Sequence, residues 1–311
     1  MSRKWGIIFF IGLAFIICVQ FVVIVGLLFS KGGMPALTKK HSIVVIEVKD
    51  VIMDSAKVLS RIGLYRDRDD VKGIVIRMET PGGSVAASQE LSNAVARLRR
   101  DGKVVVTSVA NLGASGGYYV ACQSNSIVVN PGSLVGSIGV IMEHFDIHEM
   151  TDKLGIKSDA ITSGAMKEAG TIFRPMLPEE RALIKTVIDD AYSQFRGTVL
   201  SGRWNALARA AGAENGDSAQ IEAQLDGVAD GRILTGQQAV RAGLADELGD
   251  LDDAIEIAGE LAGIEGEPHV IHDKPEEPWE EFGEMFGLAN RIARRGPLAA
   301  VPPSGLWYLY H

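Results

Sequence analysis

The chain has 311 residues, with 31 lysines and arginines against 39 aspartates and glutamates, a formal net charge of −8. That length holds one large domain or two small ones with ample core. The acidic balance and the lack of a basic patch argue against a nucleic-acid partner, and the two cysteines, Cys18 and Cys122, are too few for a disulfide framework.

The first element is an apolar run. Trp5 to Phe29 contains no charged residue, with Gln20 as its one strongly polar side chain, and it is long enough to cross a bilayer as a helix. No Ala-x-Ala-like cleavage site follows it, so residues 1–30 are read as an uncleaved membrane anchor and residues 31–41 as a Gly/Pro linker. Arg3 and Lys4 precede the run and Lys31, Lys39 and Lys40 follow it. The positive-inside rule therefore assigns no orientation.

From there the pattern alternates. Ser42–Val48 reads as a buried strand, Ser55–Tyr65 as a helix, Gly73–Met78 as a strand, Ala86–Arg99 as a helix and Val104–Val109 as a strand. A helix is expected after Ser115, then strands at Ser126–Val129 and Ile138–Met142. Short β-rich runs between amphipathic helices predict an α/β fold with parallel strands.

A glycine-rich stretch, Thr162 to Gly170, comes next. Pro178, Glu179 and Glu180 mark a helix start, with Ile184, Val187, Ile188, Ala191, Tyr192, Phe195 and Val199 as its apolar stripe. Asp230 to Asp250 reads as strand, helix, strand, and a last helix covers Asp252–Leu261. The domain is thus expected over residues 42–264, followed by a tail over 265–311. In that tail Trp279, Phe282, Phe286, Ala289 and Ile292 share one helical face. The final "GPLAAVPPSGLWYLYH" is apolar but broken by three prolines, which predicts an extended segment rather than a second membrane span.

Two glycine-rich turns carry the chemistry. "TPGGSV" leaves one strand at Thr80, and "NLGASGGYYVACQ" places Ser115 between glycines where the next strand runs out. Each turn can aim backbone N–H groups at one point, so Gly82 or Gly83 together with Gly116 could form a two-donor oxyanion hole beside Ser115. Ligand sites of α/β sheets gather at the C-terminal ends of strands. Equally, a small residue at a crowded helix start needs no function.

A serine nucleophile needs a base. "GASGG" matches G-x-S-x-G, which raises an α/β-hydrolase triad, but His269 and His272 lie in a polar stretch poorly suited to holding an imidazole. The other candidate is Lys167 in "ITSGAMKEAGTIF", among small and apolar residues, with Ser137 and Ser163 available to orient its amine. A lysine serves as a base only when desolvation or its neighbours leave it neutral. No His/Cys cluster has metal-ligand spacing, so neither metal nor cofactor is expected.

The order of "TPGGSV", "GASGGYYVA", "PGSLVGSIGVIM", "SGAMKEAG" and "DGRILTGQQAVRAGLADELGD" behind an apolar N-terminus resembles the signal peptide peptidase A family, the S49 serine peptidases. The resemblance covers about Ser42 to Leu261. It implies a crotonase-like, Clp-protease-like fold and a Ser/Lys dyad: Ser115 as nucleophile, Lys167 as general base and Ser137 as the serine bonded to that lysine. Gly83, with Gly82 as its close competitor, and Gly116 match the oxyanion donors. It further implies peptide substrates such as remnant signal peptides, a homo-oligomeric ring in which a neighbour supplies the lysine, and a single-pass protein on the outer face of the inner membrane.

Two departures stand out. Glu79-Thr80 replaces the family's common Asn-Ser before Pro-Gly-Gly, and Ala206–Ala229 does not match the expected compact helical pattern. The tail lies outside the resemblance. Its Leu298-Ala299-Ala300 run and apolar end look like what a peptide-binding groove accepts, so the tail is expected to enter such a groove as a self-substrate or plug. A membrane scaffold that has lost the chemistry and an acyl-CoA enzyme of the same fold are the rival readings. Replacement of Ser115 or Lys167 would favour the scaffold, and both residues are present.

Overall fold

The computed structural model describes residues 20, 41–213, 215–273 and 307–309. The apolar run at the N-terminus, apart from Gln20, and the Trp279–Ile292 stripe lie outside the described residues. Among the described residues no helix is long and apolar enough to cross a membrane.

Eight strands among the described residues form one sheet. β1 (Ser42–Lys49), β2 (Val71–Thr80) and β4 (Val104–Ala114) are its centre. Their runs of β-branched residues are buried on both faces, as parallel strands covered by helices require. β1 pairs with β2 and β2 with β4, all parallel. The long β4 then serves two partners: Val106–Val109 pairs with β5 (Ser126–Val129), and Leu112–Ala114 pairs with β6 (Leu134–Gly136). β7 (Ile233–Thr235) lies antiparallel on β6, and β8 (Glu247–Leu248) lies parallel on β5. A three-residue strand, β3 (Gly82–Ser84), follows β2 and stands outside this sheet.

Helices cover the two faces unequally. Alternation along β1 sends Val44, Ile46 and Val48 to the larger core and Ile43 and Val45 to a smaller one. The larger core is closed by α2 (Val85–Arg100), whose Ala87, Leu91, Ala94, Val95 and Leu98 recur at helical spacing, with help from α1 (Ala56–Arg66) and α3 (Gly116–Ala121). Next in the chain come the short α4 (His148–Lys153) and the 34-residue α5 (Pro178–Ala211). α6 (Ser218–Asp226) and α7 (Gly236–Ala242) follow. The smaller core is closed by α8 (Leu251–Leu261) through Ala254, Ile255 and Ala258. Across the edge, Arg203 of α5 is buried and makes a two-pronged ion pair with Asp246, at 2.7 and 2.8 Å.

Several elements differ from the sequence expectation. Ile138–Met142 holds no strand; the strand lies earlier, at Leu134–Gly136. Gly136 at φ +89° and Ser137 at φ +50° turn the chain out of the extended region before the apolar run begins. Ala206–Ala229 is helical in two pieces, the end of α5 and α6, separated by Gly212 at φ +66°. His269 and His272 are exposed, yet they are the two ends of the four-residue edge strand β9 (His269–His272), which pairs parallel with β1. Asp273 then anchors the chain to Arg61 and to the Tyr65 hydroxyl.

Candidate active site

β2 and β4 are neighbours, and Thr80 pairs with Gly113, so the two glycine-rich turns leave the sheet side by side at its C-terminal edge. The packing there is close: a Cβ on Gly117 would stand 2.7 Å from Thr80 Cγ2. Thr80 organises the first turn. Its Oγ1 donates to the Asp50 carbonyl and accepts from the Gly82 N–H at 3.1 Å. The strand-end threonine thus makes turn-fixing hydrogen bonds of its own.

The Gly82 N–H is therefore engaged, whereas Gly83 points elsewhere. Ile52 N–H donates to Gly82 O and Ser84 N–H donates to Ile52 O, both at 2.8 Å. Backbone groups of successive strand residues face opposite sides, so the Gly83 N–H and C=O are turned away from Ile52.

Ser115 sits at the junction of β4 and α3 with φ +52° and ψ −116°, a conformation that costs a non-glycine residue on the order of 1–3 kcal/mol. It is 1% exposed. Its N–H donates to Gly136 O and its C=O accepts from Tyr119 N–H, which holds the residue in this strained turn from both sides. Gly116 is the first residue of α3, where the backbone N–H has no partner within the helix.

Ser137 is brought to the same place. Ala114 pairs with Gly136 across β4 and β6, so Ser115 and Ser137 each follow directly on one member of that pair. Both have positive φ and both are buried. The Ser137 N–H is held by Arg232 O at 2.8 Å.

Lys167 makes no hydrogen bond to Ser115 or Ser137 within the chain. It lies exposed in a run of turns, with its N–H donating to Gly164 O, and its side chain forms no ion pair or hydrogen bond among the described residues. Ser163 is exposed in the same segment. Among the described residues Ser115 Oγ has no hydrogen-bond partner, histidine included. His148 pairs instead with Asp146 at 2.6 Å on the exposed segment. Cys122, buried two turns along from Ser115, has its thiol pushed up to about 12 by burial, which leaves it unreactive.

The segment carrying Lys167 is apolar and uncovered. Phe145, Met150, Leu154, Ile156, Ile161, Met166, Phe173, Leu183 and Val187 are exposed on it and on the first turns of α5. The sequence stripe of that helix is buried at Ala191, Phe195 and Val199, half-buried at Ile184, Ile188 and Tyr192, and exposed at Val187.

Arg174 ties the segment to α5 by pairing with Glu180, at 2.6 Å, and with Glu168, the residue after Lys167, at 3.2 Å. Glu180 also caps the helix by accepting the Leu177 N–H. The Arg174 guanidinium, aided by that N–H, holds the Glu180 carboxyl at about 2, against an ordinary value of 4.5. Because the folded value is the lower one, the network stabilises the fold fully above about pH 4.5 and is lost as the pH falls toward about 2. With the intrinsic pH dependence of amide exchange divided out, the protection factors of residues 168–180 are expected to fall from pH 5 to pH 2.5, and Arg174→Ala is expected to show the lower protection already at pH 5. The Pro178-Glu179-Glu180 signal gave the helix start; nothing local in sequence announced Arg174 or the Ile52 contact.

The model of the family described as Peptidase family S49 matches residues 97–265, just over half of the chain. Ser115, Gly116, Ser137 and Lys167 fall inside those residues, and Gly82 and Gly83 precede them. The protein slr0021 of Synechocystis sp. is 38% identical over 192 residues, 62% of this chain and 64% of that one. MJ0651 of Methanocaldococcus jannaschii is 34% identical over 226 residues, 73% of this chain and 67% of that one. Protease 4 of Salmonella typhi is 32% identical over 194 residues, 62% of this chain but 29% of its own length. The matched region thus spans under two thirds of the Synechocystis protein and under a third of the Salmonella one.

Proposed function

The chain belongs to peptidase family S49, the signal peptide peptidase A family, and from that premise we propose that it is a membrane-anchored serine endopeptidase of crotonase-like fold. The observation that carries the proposal is Ser115: a buried serine in a strained strand-to-helix turn, beside a second turn whose Gly83 N–H is turned away from its own strand partner. A non-glycine residue keeps such a backbone when its surroundings over-determine it, and nucleophiles are a recurrent reason.

In this mechanism Ser115 Oγ attacks a peptide carbonyl as neutral Lys167 takes its proton. Gly83 and Gly116 N–H groups stabilise the oxyanion, and the lysine returns the proton to the leaving amine. Water, deprotonated by the same lysine, then releases the acyl group and restores Ser115. Ser137 orients the lysine amine by a hydrogen bond.

The lysine comes from a neighbouring subunit of a ring. Supporting this are the contrast between a buried Ser115 and an exposed Lys167 that makes no hydrogen bond to it, and the uncovered apolar surface on the Lys167 segment. Apolar patches of this kind mark protein interfaces, and desolvation in an interface is what renders a lysine amine neutral. The substrates are extended, apolar peptides such as remnant signal peptides, at the outer face of the inner membrane. The uncharged Trp5–Phe29 run supports the anchoring.

Intact mass after incubation with a serine-acylating peptide-like inhibitor tests the chemistry. The wild-type oligomer is expected to gain one inhibitor mass per chain, Ser115→Ala none, and Lys167→Ala the same mass far more slowly. An unlabelled wild-type oligomer would favour a non-catalytic scaffold.

A further inference from the structure

At the end of the sheet opposite Ser115, the last turn of α2, the end of α3 and the middle of α5 enclose a cavity of about 290 Å³. It lies where β4 and β5 begin: the Asn125 N–H donates to Val105 O, and Asn125 Oδ1 accepts from the Val105 N–H. The 11 residues of β4, about 30 Å of extended chain, separate it from Ser115. Gly202 sets how close the helices come. A Cβ there would stand 2.2 Å from Cys122 O and 2.8 Å from Gln123 Nε2, so α5 lies directly on the end of α3, with Arg203 and Arg209 on the cavity wall.

The charges on that wall do not balance. Arg99, Arg203 and Arg209 line the cavity, with Asp246 as its one carboxylate. Asp246 is already engaged: Arg203 takes both of its oxygens, Oδ2 also accepts the Ile127 N–H at 2.8 Å, and Arg209 stands 3.8 Å from Oδ1. Three guanidinium groups against one carboxylate leave two positive charges, in a protein whose net charge is −8. Arg99 is the group without a counter-ion. Among the described residues it forms no ion pair; its Nη1 donates to Gln123 O at 2.6 Å, while its Nε is buried with no hydrogen-bond partner. Capping the end of α3 thus uses one of its five N–H donors and offsets none of its charge. Burial, and after it the nearby Arg203 guanidinium, pull its pKa below the ordinary arginine value, the direction a missing counter-charge produces.

We propose that this cavity is an anion site in which Arg99, Arg203 and Arg209 hold a doubly charged oxyanion, a phosphate or a phosphate monoester. Two uncompensated charges call for a dianion, since a single carboxylate would leave one of them bare. Guanidinium forks match tetrahedral phosphate oxygens, and such charge-assisted bonds are the strong ones. Asn125, whose Oδ1 is held by the Val105 N–H, keeps its amide NH2 as a neutral donor on the same wall. A free phosphate and the terminal phosphate of a phosphatidic acid present the same chemistry to these groups.

The test is isothermal titration calorimetry of the full-length protein with inorganic phosphate, at a pH near 8 and at ionic strength held constant with chloride. One phosphate per chain is expected to bind with Kd below ~1 mM. Arg99→Gln is expected to weaken binding about tenfold or more. Arg209→Gln, whose side chain is 68% exposed, is expected to weaken it about threefold, and Arg97→Gln, exposed on the same helix, not at all. Should Arg99→Gln not fold, the comparison of Arg209→Gln with Arg97→Gln decides. Dihexanoyl phosphatidic acid titrated in place of phosphate separates the sources: tighter binding supports a lipid phosphate in the cavity, weaker binding a free one. No saturable heat up to ~10 mM phosphate, or a Kd that Arg97→Gln alters as much as the cavity variants do, would overturn the inference. Hydrolysis is not measured, so the outcome is independent of the proposed peptidase chemistry.

Discussion

Ser115→Ala and Lys167→Ala proteins are each expected to lose peptide hydrolysis by ~10⁴-fold or more, the scale on which removal of a nucleophile or its base acts. Mixed in equal amounts, dissociated and reassembled, they are expected to regain about a quarter of wild-type activity, since half the sites keep the serine and half of their neighbours keep the lysine. The reason is geometric. Ser115 is buried at the C-terminal edge of the sheet, whereas Lys167 stands exposed on an apolar segment that nothing in its own chain covers. Each substitution only shortens a side chain and removes no apolar core contact, so both proteins are expected to keep the wild-type circular dichroism and oligomer mass. Two inactive variants that stay inactive after reassembly would mean that no subunit lends its lysine to another.

The second large effect is expected at Gly83. A Cβ there would lie 2.1 Å from Ile52 O, 2.6 Å from its carbonyl carbon and 2.7 Å from its nitrogen. These are backbone atoms of the partner that β3 pairs with, so no side chain can swing aside and the strand itself must move. Gly83→Ala is expected to cost about 1–3 kcal/mol of stability as an overpacked site. It is also expected to lower kcat by ~10²–10³-fold, because the displaced N–H no longer meets the oxyanion. Gly132, in a neighbouring turn with open space around its Cα, is the control: Gly132→Ala is expected to leave both quantities near wild type. Thermal unfolding and steady-state kinetics on the two proteins separate the effects. A Gly83→Ala enzyme with unchanged kcat would remove Gly83 from the oxyanion assignment.

The sequence by itself determined the alternation of strands and helices, because the period of the apolar residues encodes which backbone buries them. Val104–Val109 and the helix over Ala86–Arg99 are legible for that reason, and so are the two glycine-rich turns at strand ends. It also singled out Ser115, by its place between glycines where a strand stops. Its misplacement of the strand at Ile138–Met142 has a physical cause: an apolar run is the same whether a ladder or a core covers it, and the positive φ angles of Gly136 and Ser137 that decide the matter are set by β4 and β7 on either side. Tertiary structure alone decided that Ser115 and Ser137 each follow on a member of the Ala114–Gly136 pair, since that depends on the register of β4 with β6. It likewise decided that Thr80 engages the Gly82 N–H, that Ile52 turns Gly83 outward, and that Ser115 is buried while Lys167 is exposed. The pairing of Tyr308 with Gly83 belongs to the same class. Two segments more than two hundred residues apart meet through main-chain hydrogen bonds, which every residue but proline can make, and so leave no mark in the pattern of side chains.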